Sequence, residues 1–453
     1  MKRILYFLFS MVLVPCWGQG SKESEFIRTL YDQALEGGRA YEDLRFLCKE
    51  IGHRITGSAQ AEMAVEWGRQ LMQDHQFDTV YLQEFTAPHW ERGTAEAGWI
   101  TTPDGIMIKV KLAALGGSVG TNGLLEAEVV AFDNPEAMNK APEEEIEGKI
   151  VFFSQAFDPR ELYTFNAYSG CVSIRWDGAA EATKKGAVAV LIRSLAQQDD
   201  EHPHTGVMNT EGARIPAAAL SSKDANTLLY MVDQPTPVVF KFEMDCGFRE
   251  EVTTYNVIGE LHGEKDEIIT WGGHLDSWDL GEGAHDDGAG VIHSLEAMRL
   301  LKSLNYQPRH TLRCVLFMNE ENGNFGGKAY AAEAVRKKEI HIAAVESDRG
   351  GFMPVGFDVR GSDRQLKWVR EIAEPLSEFR LWRFEKGYGG VDIGPLYEAY
   401  PDMLQLGLNL VSQRYFDYHH AETDVFETVN KRELEFGCAA MASMIYLLDQ
   451  NLN

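Results

Sequence analysis

The sequence predicts an α/β chain: a mixed central sheet sandwiched by helices, interrupted by a β-rich insert. Three observations carry that expectation. From Asn256 onward, short β-branched runs alternate regularly with helical patterns. A helix, helix, strand opening of the same character stands before position 112. Between them, over 113–250, the composition shifts to turn-rich segments and short apolar strands. With 453 residues the chain is too long for one ordinary core and allows two domains, or three. The divisions expected are a leader at 1–20, a first catalytic part at 21–112, the insert at 113–250 and a second catalytic part at 251–453.

The leader is a targeting segment. Lys2 and Arg3 precede the apolar run Ile4 to Val14, and Gly18 and Gly20 offer cleavage near Ser21. This predicts a secreted or periplasmic protein. Cys16 raises lipoprotein anchoring as an alternative, which Pro15 before it disfavours. No later run reaches the about 18 apolar residues that a membrane span requires. Phe26, Ile27, Leu30, Tyr31 and Leu35 then give a helical pattern up to Cys48, with a break at Gly37-Gly38. Arg54 to Ser58 reads as a turn into a helix through Ala64, Trp67 and Leu71. Thr79 to Pro88 reads as a strand ended by its proline.

In the insert, Gly116 to Gly123 is turn-rich, and "LEAEVVAF", "KIVFF", "AVAVLIRS", "RIPAAAL" and "PVVFKFEM" read as strands. Beyond it come strands "NVIGEL" and "EIITW", with Gly272 and Gly273 breaking the second. A helix over 288–303, strand "TLRCVLFM", a helix at Lys328–Lys337 and strand "HIAAVES" follow. A helix over Gln365–Ser377, strand "PDMLQL" and a terminal helix from Lys431 to Leu448 complete the chain.

The formal net charge of −26 argues against nucleic acid and anionic membrane surfaces as partners. Five cysteines remain after the leader (Cys48, Cys171, Cys246, Cys314, Cys438), without a CxxC, so at most two disulfides can form and no zinc finger is signalled. The chemistry lies at strand ends. "EIITWGG" runs into His274 and Asp276, with Asp286 and Asp287 beyond a Gly-rich loop. "TLRCVLFMN" ends at Glu320 and Glu321, "HIAAVES" at Asp348, and "YFDYHHAETD" supplies His419, His420 and Asp424. Each alone reads as well as a solvated loop. Four such clusters where strands converge suit a divalent metal with N and O ligands, most simply zinc. Two adjacent glutamates have a use there: one ligates while its neighbour takes and gives a proton.

The motifs "GGHLDSWD", "DDGAG", "NEENG", "ESDRGGF" and "HHAETD" together resemble the zinc peptidases of the M28 class, and within it the carboxypeptidase Q branch. The likeness extends to the insert, where "GAAEATKKGAVAVLIRS", "HPHTGVMN" and "RIPAAAL" resemble a protease-associated domain. The resemblance implies two Zn²⁺ per chain. His274 and Asp348 would ligate one, Glu321 and His420 the other, and Asp286 would bridge both through a strained or cis link to Asp287. Glu320 would be the general base and acid, and Asp276 the carboxylate orienting the histidine ligand. Asp392, in "GGVDIGP", His204 and His419 are candidate substrate residues. The insert is expected to shape one wall of the cleft, His204 reaching across it from its own domain or from a partner subunit, with a surface loop carrying exposed His202 and His204 as the alternative.

Three departures stand out. His285 replaces Met or Asn, "HHAETD" replaces "HHSHGD", and "LQLGLN" replaces a segment ending in paired Asp. His285 reads as a solvated imidazole beside the bridge or as an added ligand, and His419 as a packed neighbour or a donor to an intermediate. The implied function is a secreted di-zinc peptidase cleaving small peptides, foremost dipeptides with free termini, in the carboxypeptidase or dipeptidase sense. An aminopeptidase on the same metal site is the alternative. A glutaminyl-cyclase-like acyltransferase and a non-catalytic receptor-like ectodomain are more distant ones. A small peptide is the expected partner, without nucleic acid or membrane insertion, and a homodimer is compatible with the resemblance.

Overall fold

The computed structural model describes residues 22–102 and 104–452; the leader, its cleavage site and Cys16 lie outside them. An eight-stranded mixed sheet forms the centre. Its order is Thr79–Ala87, Val252–Leu261, His310–Phe317, Lys265–His274, His341–Glu346, Leu404–Leu410, Pro354–Arg360 and Arg383–Lys386. The middle four, from His310–Phe317 to Leu404–Leu410, run parallel, so their carboxyl ends share one edge.

Side-chain alternation along these strands feeds two layers. Cys314 and Leu316 face one core with Trp271 and Val345, while Val315 and Phe317 face the other with Ile258 and Ala344. Helices Lys22–Gly37, Ala59–Asp74, Ala289–Ser303 and Lys431–Asn451 cover the first face. Phe325–Lys337 and Gly394–Ala399 cover the second. In the last long helix Leu434, Cys438, Met441, Ile445 and Leu448 recur at intervals of four and three residues and are fully buried. Its end is fixed by Asp449, which accepts from the amides of Arg309 and His310 at the entry to a central strand.

The second sheet also has eight strands, in the order Met107–Val110, Glu96–Thr101, Val239–Met244, Leu125–Phe132, Ile150–Phe153, Ala189–Arg193, Ala217–Leu220 and Leu112–Ala114. It therefore begins at Glu96, and the expected boundary at 113 cuts through it. Glu96–Thr101 and Met107–Val110 carry no composition shift; the first joins this sheet by pairing with Val239–Met244, 143 positions from Glu96 to Val239 and invisible to a local reading, and the second by pairing with the first. Trp90–Glu91 pairs with Gly247–Phe248, so a short ribbon joins the two parts of the molecule.

Other differences have local causes. Lys265–His274 does not stop at Gly272: the strand continues through both glycines to His274. A Cβ at Gly272 would overlap the Val315 carbonyl, and one at Gly273 the Asp287 carboxylate, so these glycines serve close packing. Strands Pro354–Arg360 and Arg383–Lys386 were not anticipated. The helix expected to reach Ser377 ends at Ile372, where Pro375 enters a following 3-10 turn. All five cysteines described are buried and free.

Candidate metal centre

The common edge of the parallel strands gathers the acidic and imidazole side chains. His274 is the last residue of its strand. Glu320 and Glu321 follow His310–Phe317, and Asp348 follows His341–Glu346. Leu404–Leu410 leads through the 3-10 segment Ser412–Asp417 to His419 and His420. Asp286 arrives from the irregular turn before helix Ala289–Ser303, and its peptide link to Asp287 is cis.

Two donor groups share one carboxylate. Asp286 Oδ1 lies 3.1 Å from His274 Nε2, and Asp348 Oδ1 is 3.6 Å from the same nitrogen. Asp286 Oδ2 lies 3.2 Å from His420 Nε2, which is also 3.2 Å from Glu321 Oε2. Each oxygen of Asp286 thus serves a different cluster. Asp287 is committed elsewhere, its Oδ2 accepting from the His274 amide and its Oδ1 from the Gly290 amide.

The surrounding residues hold this arrangement. His274 Nδ1 is 3.0 Å from the backbone carbonyl of Asp276, closer than the 3.7 Å to its carboxylate. The expected role of Asp276 is thereby divided. Its carbonyl orients the imidazole, while its fully buried carboxylate accepts from the amides of Glu320 and Glu321. Asp424 accepts from the amides of His285 and Asp286. His285 is neither a ligand nor solvated. Its ring is sandwiched between Phe352 at 4.3 Å and Tyr418 at 5.1 Å, its Nδ1 accepts from the Gly351 amide, and burial pushes its pKa down to about 3.

Charge shows what such a site calls for. Burial pushes the Glu320 carboxyl well above the usual carboxylate range, with Glu321 and Asp348 adding to it. Burial likewise raises Glu321 and Asp348, and lifts Asp424 and Glu346 to about 7. Burial opposes a charge on His274, yet Asp286 and Asp348 hold its pKa well above the ordinary value. Glu321 Oε1 is buried without a hydrogen-bond partner among the described residues. Crowded carboxylates with an orphaned oxygen and two inward imidazole nitrogens fit a pair of divalent cations.

A cleft of about 610 Å³ opens over these groups. One wall comes from the domain of the second sheet, through Tyr163, Phe165, Tyr168, Arg175 and Val207. Arg175 and Tyr168, which sequence reasoning passed over, bond to each other there, and the buried Arg175 Nε has no partner among the described residues. No local signal marks them, since Arg175 stands between Ile174 and Trp176 in no recognisable motif. His419 lines the cleft, stacked on His420 at 3.5 Å between ring centres. His204 does not. Its ring is 1% exposed and its Nδ1 lies 2.7 Å from the His419 carbonyl, so it supports that loop and does not reach across the cleft. Asp392 is also outside the lining and fully buried. The amides on either side of it are held by Glu346, which leaves its own side chain inside the protein.

Carboxypeptidase Q of Bos taurus is 31% identical to this chain over 93% of its length and 87% of its own. The chain belongs to peptidase family M28. The family's model, described as Peptidase family M28, matches residues 256–443, a span that holds His274, Asp286, Glu320, Glu321, Asp348 and His420. Among solved structures, that of a peptidase M28 precursor from Shewanella amazonensis SB2B superposes with a TM-score of 0.89 at 33% identity, covering 95% of this chain and 98% of that one. A zinc aminopeptidase from Bacillus subtilis shares the fold, with a TM-score of 0.65 at 21% identity over 90% of this chain and 94% of its own. This M28 peptidase is therefore a metal-dependent hydrolase of peptide bonds by family, and both sheets belong to the fold it shares with the Shewanella structure.

Proposed function

We propose that the chain is a secreted di-zinc exopeptidase acting on small peptides, foremost dipeptides with free termini, in the carboxypeptidase or dipeptidase sense. The observation that carries this reading is the sharing of Asp286 between two donor clusters. His274 and Asp348 would hold one ion, Glu321 and His420 the other, and Asp286 both. The ions, when bound, supply electrophilic polarisation of the scissile carbonyl and a more acidic water. Glu320, its backbone fixed by Asp276 and its side chain on the cleft, takes the proton from the attacking water. It then returns that proton to the leaving amine. Arg175, at the cleft wall, places a positive charge toward a carboxylate or carbonyl oxygen of the substrate, and His419 stands beside it as a second contact. The sense of cleavage follows the likeness to carboxypeptidase Q, which spans nearly the whole chain. The second-sheet domain, acting as a protease-associated insert, closes one side of the cleft, which suits short substrates. The leader at 1–20 supports export.

The deciding experiment is turnover of a dipeptide panel by the zinc-loaded mature protein, with N-acetylated and C-amidated members. Loss of activity on C-amidated substrates alone supports the carboxypeptidase sense; loss on N-acetylated ones alone supports an aminopeptidase. Glu320→Gln is expected to retain both ions and to lose at least about a hundredfold in kcat. Near-normal turnover in a metal-replete Glu320→Gln protein refutes the assignment of the base.

A further inference from the structure

The second-sheet domain meets the metal loop at several points, among them Thr164, Gln198 and Arg175, and the backbone of the loop's two histidines is held by a short strap, residues 202–206. The strap is tied down within its own domain. The His204 amide donates to Ser194 Oγ at 2.8 Å, Thr205 Oγ1 donates to the Ala114 carbonyl at 2.7 Å, and the Gly206 carbonyl accepts from the Gly116 amide at 3.0 Å. On its outer side His202 Nδ1 lies 2.6 Å from Glu422 Oε1, while His204 and Thr205 hold the two histidines of the metal loop. His204 Nδ1 donates to the His419 carbonyl at 2.7 Å, and the Thr205 amide donates to the His420 carbonyl at 3.0 Å. The Thr205 carbonyl lies 3.2 Å from His420 Nδ1, nearer than Arg175 Nη1 at 3.4 Å.

His420 needs such support. Its φ is +62°, a left-handed conformation that a residue with a Cβ adopts at a cost, so its backbone must be held from outside. An imidazole that offers Nε2 to a cation carries its proton on Nδ1, and the acceptor for that proton fixes both tautomer and ring orientation. Here the acceptor is the Thr205 carbonyl. Gly206 leaves the space for it: a Cβ there would overlap Arg175 Nη1 and come within 2.7 Å of His420 Nδ1.

We propose that the strap 202–206 is the device that fixes His420 as a ligand, so that retention of the ion shared by Glu321 and His420 depends on docking of the second-sheet domain. His204, Thr205 and Gly206 are positioning residues in this sense. No strap residue enters either donor cluster, so the ion held by His274 and Asp348 is independent of it.

The inference rests on the two-zinc reading, and one experiment separates them. Zinc binding to the mature chain is followed by competition with a colorimetric chelator and checked by elemental analysis. The unaltered protein binds in two steps on the present reading; a single step overturns the two-zinc assignment. In His204→Ala and Gly206→Ala one step keeps its affinity while the other weakens at least about tenfold. His204→Asn, which retains a donor for the His419 carbonyl, recovers most of that loss. His204→Ala alone decides the matter if Gly206→Ala does not fold. Two unaltered steps, or equal weakening of both, overturn the inference. If the unaltered protein holds one ion only, unchanged affinity in the variants overturns it, and a tenfold loss supports it.

Discussion

Arg54 is the residue on which the back of the metal centre hangs. It is fully buried, and its guanidinium donates to the carbonyls of Leu275, Gly52, Glu282 and Gly283, at 2.7–2.9 Å. It thereby ties the turn after His274 to the turn before Asp286, and places a positive charge behind Asp276, Asp287 and Asp424. Burial lowers its pKa, the cost of keeping that charge inside. Arg54→Met is expected to destabilise the fold by about 3–5 kcal/mol, since it removes a donor from four carbonyls, of which that of Gly283 alone keeps another among the described residues, in the Gly288 amide, and takes away the cation bonded to both turns. Arg54→Lys is not expected to rescue it, because one ammonium cannot reproduce the fork. Denaturant unfolding of the three proteins checks both statements. Nothing in "RITGS" distinguished Arg54 from a solvated arginine, and its role comes from carbonyls more than two hundred positions away.

Element by element, the parallel core was readable because each strand is a short apolar run with a helix after it. Its acidic ends were readable because chemistry in such sheets sits at carboxyl ends. Pro354–Arg360 and Arg383–Lys386 escaped notice for the opposite reason. They lie at the sheet's far side; Pro354–Arg360 does alternate, with Val355, Phe357 and Val359 against Gly356, Asp358 and Arg360, but its glycine and two charges mask the run, and Arg383–Lys386 is four residues with one buried. The glycine pair misled in a more instructive way. Glycine usually punctuates a strand, yet Gly272 and Gly273 remain within it because a carbonyl and a carboxylate approach them. Gly272→Ala is expected to cost about 1–3 kcal/mol by pushing Lys265–His274 from His310–Phe317. Because His274 lies two residues on, zinc affinity should fall with it. A melting temperature and zinc affinity both matching the unaltered protein would show that the strands have slack there.

Across the whole molecule, the ions and the fold are coupled. Buried like charges at the sheet edge repel one another without cations, and a ligand at a thousand times its Kd stabilises by about 4.1 kcal/mol. Chelation is therefore expected to lower the melting temperature. Asp348→Asn should melt below the unaltered protein when zinc-loaded but above it when chelated, since the substitution removes a ligand in one state and a crowded charge in the other. The same ordering in both states would refute this account of the site's charge. Such coupling explains how much was legible at this scale. The motifs named the residues that meet, while the domain boundary, the strap and the inward turn of His204 and Asp392 depend on how two sheets settle against each other.

That settling has a history in time. Thr79–Ala87 is the outer strand of the catalytic sheet, and Gln83 bonds across to Asn256, 173 positions later. At ordinary rates of synthesis, about 5–20 residues per second, the first strand waits roughly 9–35 s for its neighbour to be made. During that interval the second sheet, complete by Met244, can collapse as a unit, and its ribbon at Trp90–Glu91 and Gly247–Phe248 brings the two ends together. Folding of the intervening part thus turns a very distant pairing into a nearly local one, so the order of events on the ribosome is written into where the second sheet interrupts the first.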